Sequence, residues 1–229
     1  MKSNTLTHDQ AYKVYTGNGM LIHILKISGF CILFNLLGFV FFLIIALIME
    51  GNVSAALHTG YGSMMSVVFA VSGIIFVVPI GFVDRDRHLP GGKYFRTVKG
   101  GFDTYRKMKD ASLIVYMVSL ALIMLFGVIC ERVGVFKYEH GVADIFAVVA
   151  FLLLSVGLLN LMNLIENPEL RVAAMVITYF IVSCIGVLYV LYDYANVTFA
   201  LIVAAVSIPF IAVTHKMMLS NYRKNRWDK

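Results

Sequence analysis

Long apolar runs separated by short polar stretches dominate this chain of 229 residues. A helix that crosses a bilayer needs about 20 mostly apolar residues. Residues within these runs do not alternate between polar and apolar, as the strands of a membrane barrel do, and backbone in lipid must satisfy its own hydrogen bonds. The pattern therefore predicts an all-α membrane bundle of about six transmembrane helices, at about 21–49, 62–83, 111–130, 143–165, 170–192 and 197–216.

Basic residues lie on one side of this arrangement. Of the 19 Lys and Arg residues, 17 lie in the stretches 1–26, 84–110, 164–171 and 214–229, and two lie in the connections that alternate with them. Short loops rich in Lys and Arg stay on the cytoplasmic side of a membrane. Both termini of the chain are therefore predicted to be cytoplasmic.

Composition agrees with this class. Hydrophobic residues make up 60% of the chain and charged residues 14%, whereas a soluble domain is about 25% charged. Membrane lipid is therefore the expected partner of the exterior, and the expected location is a bacterial plasma membrane. The basic residues lie between the apolar runs and do not share an exposed surface with aromatic residues. Single-strand nucleic-acid binders combine the two on one surface, so we expect no nucleic-acid binding. We expect one membrane domain over 1–229, with an interfacial or cytoplasmic segment at 1–20, a cytoplasmic loop at 84–110 and a basic tail at 217–229.

Polar residues inside the predicted spans are few. The segments 27–49, 62–83 and 111–130 carry no Lys, Arg, Asp or Glu. Ionisable residues within a membrane mark proton or ion relays, so this pattern disfavours an ion-coupled transporter. Three asparagines are candidates for a helix contact or a polar path, and hydrogen bonding between helices is the commoner use of such residues. They are Asn35, Asn160 and Asn163.

The chain lacks three common sequence signatures of catalysis and nucleotide binding. The chain contains no H-E-x-x-H motif, no G-x-S-x-G motif and no G-x-x-x-x-G-K-[ST] motif. The three cysteines lack the close spacing of metal ligands. We therefore expect no catalytic residue, no metal site and no cofactor in this chain.

The loop at 84–110 is the most distinctive segment. It carries eight basic and four acidic residues, and Gly100 and Gly101 interrupt it. Three apolar side chains then recur at a spacing of three residues, which places them on one face of a helix. Such a helix suits a groove in a partner protein or the membrane interface. The candidate docking residues are Phe102, Tyr105, Arg106, Met108 and Lys109.

In its order of parts, the whole chain resembles the permease subunit of type-2 ABC exporters. That family has an N-terminal interfacial helix, six spans, cytoplasmic termini and a coupling helix between the second and third spans. The corresponding segments here are 9–15 and 102–109. The chain departs from the family at 192–196, where many members have small outer-leaflet helices. The resemblance implies a homo- or heterodimer of permease chains working with two separate ATP-binding subunits.

Two other functions fit the same sequence. One is a non-transporting membrane protein that acts as a scaffold, an assembly factor or an immunity factor, which needs only helix packing and a docking loop. The other is an intramembrane enzyme or a channel. A channel should carry a polar stripe along one helix, and Asn160 with Asn163 is the nearest approach to one.

Overall fold

The computed structural model is helical throughout the part of the chain that it describes, with no strand in that part. Five of its helices are long and apolar enough to cross a membrane. The prediction of an all-α, multi-pass membrane protein is therefore confirmed. The predicted second span lies almost wholly outside the described residues. Within that span, 68–69 and 71–72 are described, and they are helical. The described residues are 6–51, 68–69, 71–72, 100–135, 138, 140–165, 167–191 and 196–224.

Six helices have bounds that fall within the described residues. A short helix, α1, precedes five long ones. The long helices correspond to the predicted first, third, fourth, fifth and sixth spans, and most of their ends lie within a few residues of the predicted ends. The third and sixth differ most. Helix α3 begins ten residues before its predicted span, and α6 continues six residues past its own. The bounds are α1 His8–Thr16, α2 Met20–Glu50, α3 Gly101–Val133, α4 Val142–Met162, α5 Pro168–Leu191 and α6 Val197–Tyr222.

Local chemistry sets where the helices begin and end. Thr7 caps α1 in a reciprocal pair with Gln10, in which each side chain accepts a hydrogen bond from the backbone of the other. Gly17 ends α1 with a φ of 76°, a left-handed conformation that glycine adopts without steric cost. Asn167 caps the start of α5, because its side-chain oxygen accepts from the backbone N–H groups of Glu169 and Leu170.

Helix α4 lies at the centre of the bundle. It packs against α3, α5 and α6, while α2 packs on the other side of α3. A glycine at each of two crossings lets the helices approach closely: Gly157 of α4 faces the ring of Phe210 in α6, and Gly186 of α5 faces Phe151 of α4. Away from these contacts the helices present apolar side chains outward, such as Phe41 and Phe180 at 59% and 68% exposure. Lipid is the solvent that suits this surface.

Both ends of the described chain meet at the same end of the bundle. There, α1 packs on the start of α3, and the last turns of α6 join them. This arrangement agrees with the charge distribution, which predicts these segments to be cytoplasmic. The aromatic and basic residues of the predicted docking helix therefore lie among three helix ends.

Candidate functional site

The predicted docking helix is the first part of α3. Gly100, with a φ of 83°, precedes it, and the helix then runs without interruption from Gly101 to Val133. At about 1.5 Å per residue, these 33 residues extend about 50 Å. The segment 101–110 is thus a rigid extension of a membrane-spanning helix.

The apolar face of this extension packs against the chain itself. Tyr105 is stacked on Tyr222 of α6, with ring centroids 4.2 Å apart and planes 13° apart, and it meets Tyr15 of α1 edge-on at 6.5 Å. Both arrangements are favourable for aromatic pairs. We call this group the aromatic cluster; its buried members are Ala11, Tyr15, Tyr105, Met108, Met218, Leu219 and Tyr222, with Phe102 packed at its edge.

Two cations cover the rim of the aromatic cluster. Lys109 Nζ lies 5.4 Å from the centre of the Tyr105 ring, and the guanidinium of Arg223 lies 5.5 Å from the centre of the Phe102 ring. A cation over an aromatic face is attracted by the electrons of the ring. Lys109, predicted to face a partner, is therefore engaged in part by its own chain.

Polar contacts tie the same three helices together. His215 Nε2 of α6 lies 2.9 Å from Asp110 Oδ1 of α3, and His8 Nε2 of α1 lies 4.0 Å from Asp110 Oδ2. Lys107 Nζ donates to the carbonyl oxygen of Leu6 at 2.7 Å, just before α1. A carboxylate and an ammonium from α3 thus each hold a neighbouring segment, so the helix ends form one packed unit.

The exposed part of the extension is charged. Asp103 and Arg106 lie one turn apart, their side chains are 64% and 51% exposed, and their charged atoms are 3.9 Å apart. By contrast, Tyr105 and Met108 are 3% and 7% exposed. Of the predicted docking residues, Arg106 is exposed and Phe102 and Lys109 are half-buried. The apolar centre of the predicted face is covered by α1 and α6.

Replacing Asp110 with Ala should lower the free energy of unfolding by about 1 kcal/mol. The change removes a hydrogen bond between a carboxylate and an imidazole, and the partial exposure of Asp110 reduces its contribution. Unfolding by sodium dodecyl sulfate would measure the effect. Asp103→Ala is the matched control, because it removes the same charge from the same helix at an exposed position. A free energy of unfolding that Asp110→Ala leaves unchanged would show that the Asp110 contacts contribute no stability.

Asn35 makes a helix contact, one of the two alternatives predicted for it. The residue is fully buried, and its Nδ2 donates to the carbonyl oxygen of Cys31 and to Ser72 Oγ, each at 2.8 Å. It therefore joins α2 to the described part of the predicted second span. Asn163 instead donates to the carbonyl oxygen of Leu159 in its own helix. The side-chain nitrogen of Asn160 is buried without a hydrogen-bond partner.

The opposite end of the bundle holds a smaller polar group. His140 Nδ1 lies 3.0 Å from Asp144 Oδ1, and the His140 backbone N–H donates to Asp144 Oδ2. Glu131 at the end of α3 accepts from the backbone N–H of Tyr138. These carboxylates shape the connection between α3 and α4. Across the described residues, no group of three His, Cys, Asp or Glu side chains is arranged to hold a metal ion.

Sequence reasoning missed most of the aromatic cluster. Tyr15 and Tyr222 are far from Tyr105 along the chain, and neither was a candidate. The pairing of Asp110 with His215 was missed for the same reason. A usable signal was the presence of tyrosines and basic residues at three predicted cytoplasmic helix ends.

Comparison with protein-family models, with curated proteins and with solved structures finds no match to this chain.

Proposed function

We propose that this chain is the membrane-spanning permease subunit of an ATP-driven exporter and that a separate chain supplies the ATPase. The observation that supports this function most directly is the aromatic cluster, which joins the cytoplasmic extension of α3 to α1 and α6. A protein that only anchors a partner needs no such connection between an exposed surface and several membrane helices.

The mechanism is mechanical. A partner ATPase that changes shape on binding ATP pushes on the exposed charged face around Asp103 and Arg106. Because packed protein interiors resist compression, the aromatic cluster transmits the displacement to α1 and α6. Because α3 continues unbroken through the bundle, the same displacement reaches its far end. When two permease chains move in this way, a site between them opens alternately to the two sides of the membrane.

The substrate class follows from the spans. No Lys, Arg, Asp or Glu occurs at 27–49 or 111–130, and an ion or a highly charged solute would find no counter-charge there. An amphipathic molecule keeps its apolar part against apolar side chains and needs few polar contacts. The exporter therefore moves a lipid-like or amphipathic compound.

Replacing Arg106 with Glu should abolish co-purification of the ATPase chain with the detergent-solubilised permease. The reversed charge repels a surface that was complementary to a base, and like charges across an interface cost several kcal/mol. Lys13→Glu is the matched control, because Lys13 is an exposed base on α1 at the same end of the bundle. The measurement is the amount of ATPase retained and its rate of ATP hydrolysis.

Absence of any co-purifying ATPase with the unaltered chain would overturn the proposal. A scaffold, assembly or immunity protein would then be the better function. That rival needs only helix packing and a surface for a partner, and the exposed charges of Asp103 and Arg106 supply such a surface. A partner without nucleotide-binding activity that is lost from Arg106→Glu but retained by Lys13→Glu would support it.

A further inference from the structure

Two lysines lie on exposed, otherwise apolar faces of membrane-spanning helices. Lys26 in α2 is exposed, and the side chains one turn to either side of it, Ile22 and Phe30, are 48% and 56% exposed. Lys216 in α6 is exposed as well, and Val213, one turn before it, is 56% exposed. Each ammonium group is therefore carried on a helix face that otherwise suits hydrocarbon.

Helix length places both lysines at the edge of the hydrocarbon core, which is about 30 Å thick. From Lys26 to Glu50, where α2 ends, the helix extends about 36 Å at 1.5 Å per residue. The residues between them include no Lys, Arg, Asp or Glu. From Val197, where α6 begins, to Lys216 the distance is about 29 Å. Each lysine therefore lies at headgroup level, at the end of its helix that is predicted to be cytoplasmic.

Neither lysine has an anionic partner within the described residues. No ion pair or hydrogen bond joins the side chain of Lys26 or Lys216 to another residue of that part of the chain. The acids of α1 and α3 at this end are engaged elsewhere. Asp9 accepts from the backbone at the start of α2, Asp103 lies beside a base of its own helix, and Asp110 lies against histidines of α1 and α6. The charge of each lysine is thus available to a group outside the chain.

We propose that Lys26 and Lys216 each bind the headgroup of an anionic phospholipid in the cytoplasmic leaflet. The acyl chains of the lipid cover the exposed apolar side chains, and its negative charge lies at the depth that a lysine reaches from the edge of the hydrocarbon. A zwitterionic phospholipid carries its own cation beside the phosphate, so it gains less from the lysine. The two sites belong to this chain alone, and they stand whether or not it works with an ATPase.

Brominated lipids test each position separately, because bromine in an acyl chain quenches a nearby tryptophan. Leu33 is 50% exposed and lies about 10 Å along α2 from Lys26. Ile208 is 53% exposed and lies about 12 Å along α6 from Lys216. Leu33→Trp and Ile208→Trp are made one at a time in a chain in which Trp227→Phe removes the single natural tryptophan. The purified chain is reconstituted into bilayers of brominated phosphatidylglycerol mixed with unbrominated phosphatidylcholine, and into the reverse mixture.

The expected result is that phosphatidylglycerol binds about fivefold more strongly than phosphatidylcholine at each reporter, the preference that one lysine gives near an anionic surface. Lys26→Gln should bring the ratio of the two binding constants to about one at Leu33→Trp and leave it unchanged at Ile208→Trp. Lys216→Gln should have the reverse effect. Each reporter tests its own helix, so if one variant fails to reconstitute, the other remains decisive.

Lys224→Gln is the matched control, and it should leave both ratios unchanged. Lys224 is an exposed base just after α6, about 12 Å farther along than Lys216 and therefore beyond the headgroup layer. Equal binding of the two lipids at both reporters, with both lysines intact, would overturn the proposal. A preference that neither Lys26→Gln nor Lys216→Gln reduces would also overturn it, because that preference would come from the basic cytoplasmic end as a whole.

Discussion

Replacing Gly157 with Val is expected to lower the free energy of unfolding by about 2 to 3 kcal/mol, the cost of forcing extra atoms into a packed core. A Cβ atom at this position of α4 would clash with Cδ1 and Cε1 of the Phe210 ring in α6. Among the helices of the described residues, α4 and α6 make the most extensive contact. Helix α6 would have to move outward or the Phe210 ring would have to leave its present position.

A matched substitution separates this packing effect from the general effect of altering a helical glycine. Gly29 lies in α2, and a Cβ atom there would meet nothing within 4 Å. Gly29→Ala should therefore stabilise the helix, by up to about 1 kcal/mol. Unfolding by sodium dodecyl sulfate, followed by tryptophan fluorescence or circular dichroism, measures both variants.

Shortening the opposing side chain should rescue the Gly157 variant. Phe210→Ala alone leaves a cavity and costs stability, but combined with Gly157→Val it provides the space that the valine needs. The double variant should then be more stable than the sum of the single effects predicts, by about 1 kcal/mol or more. Strict additivity would show that the two side chains do not compete for the same space.

Sequence reasoning found the bundle more readily than it found the site. The span positions follow from one physical requirement, because a backbone crossing lipid must be helical over about 20 apolar residues. Helix α3 illustrates this point: its apolar part was predicted as a span at about 111–130, and a helix with one apolar face was predicted at 102–109. The structure places both in one helix.

The contacts of the site depend on distances that no local pattern contains. The periodicity of Phe102, Tyr105 and Met108 correctly indicated one apolar face, and it suited two different surfaces, a partner protein and the membrane interface. The structure covers its centre with the chain's own α1 and α6. In the same way, Asn35 was a candidate for a helix contact or a polar path, and its hydrogen bond to Ser72 depends on how α2 packs.

Replacing Tyr105 with Ala is expected to lower the free energy of unfolding by about 3 to 5 kcal/mol, the range for removing a large buried aromatic side chain. Tyr105 is 3% exposed and touches the rings of both Tyr15 and Tyr222. Its loss removes the centre of the aromatic cluster, so α1 and the last turns of α6 should open locally while the membrane-spanning helices keep their packing. Hydrogen exchange should therefore increase at 8–16 and 214–222 and remain slow within α4.

Arg106→Ala provides the control, because Arg106 is next to Tyr105 in the chain but is exposed and lies outside the aromatic cluster. It should leave hydrogen exchange unchanged and weaken the binding of a partner. Tyr105→Ala should have the opposite effects: hydrogen exchange increases, and a partner still binds the charged surface. The movement of that partner, however, no longer reaches α1 and α6. For an exporter, this variant would hydrolyse ATP in the complex without moving substrate. If Tyr105→Ala transports at the normal rate, the aromatic cluster stabilises the fold without coupling it to a partner.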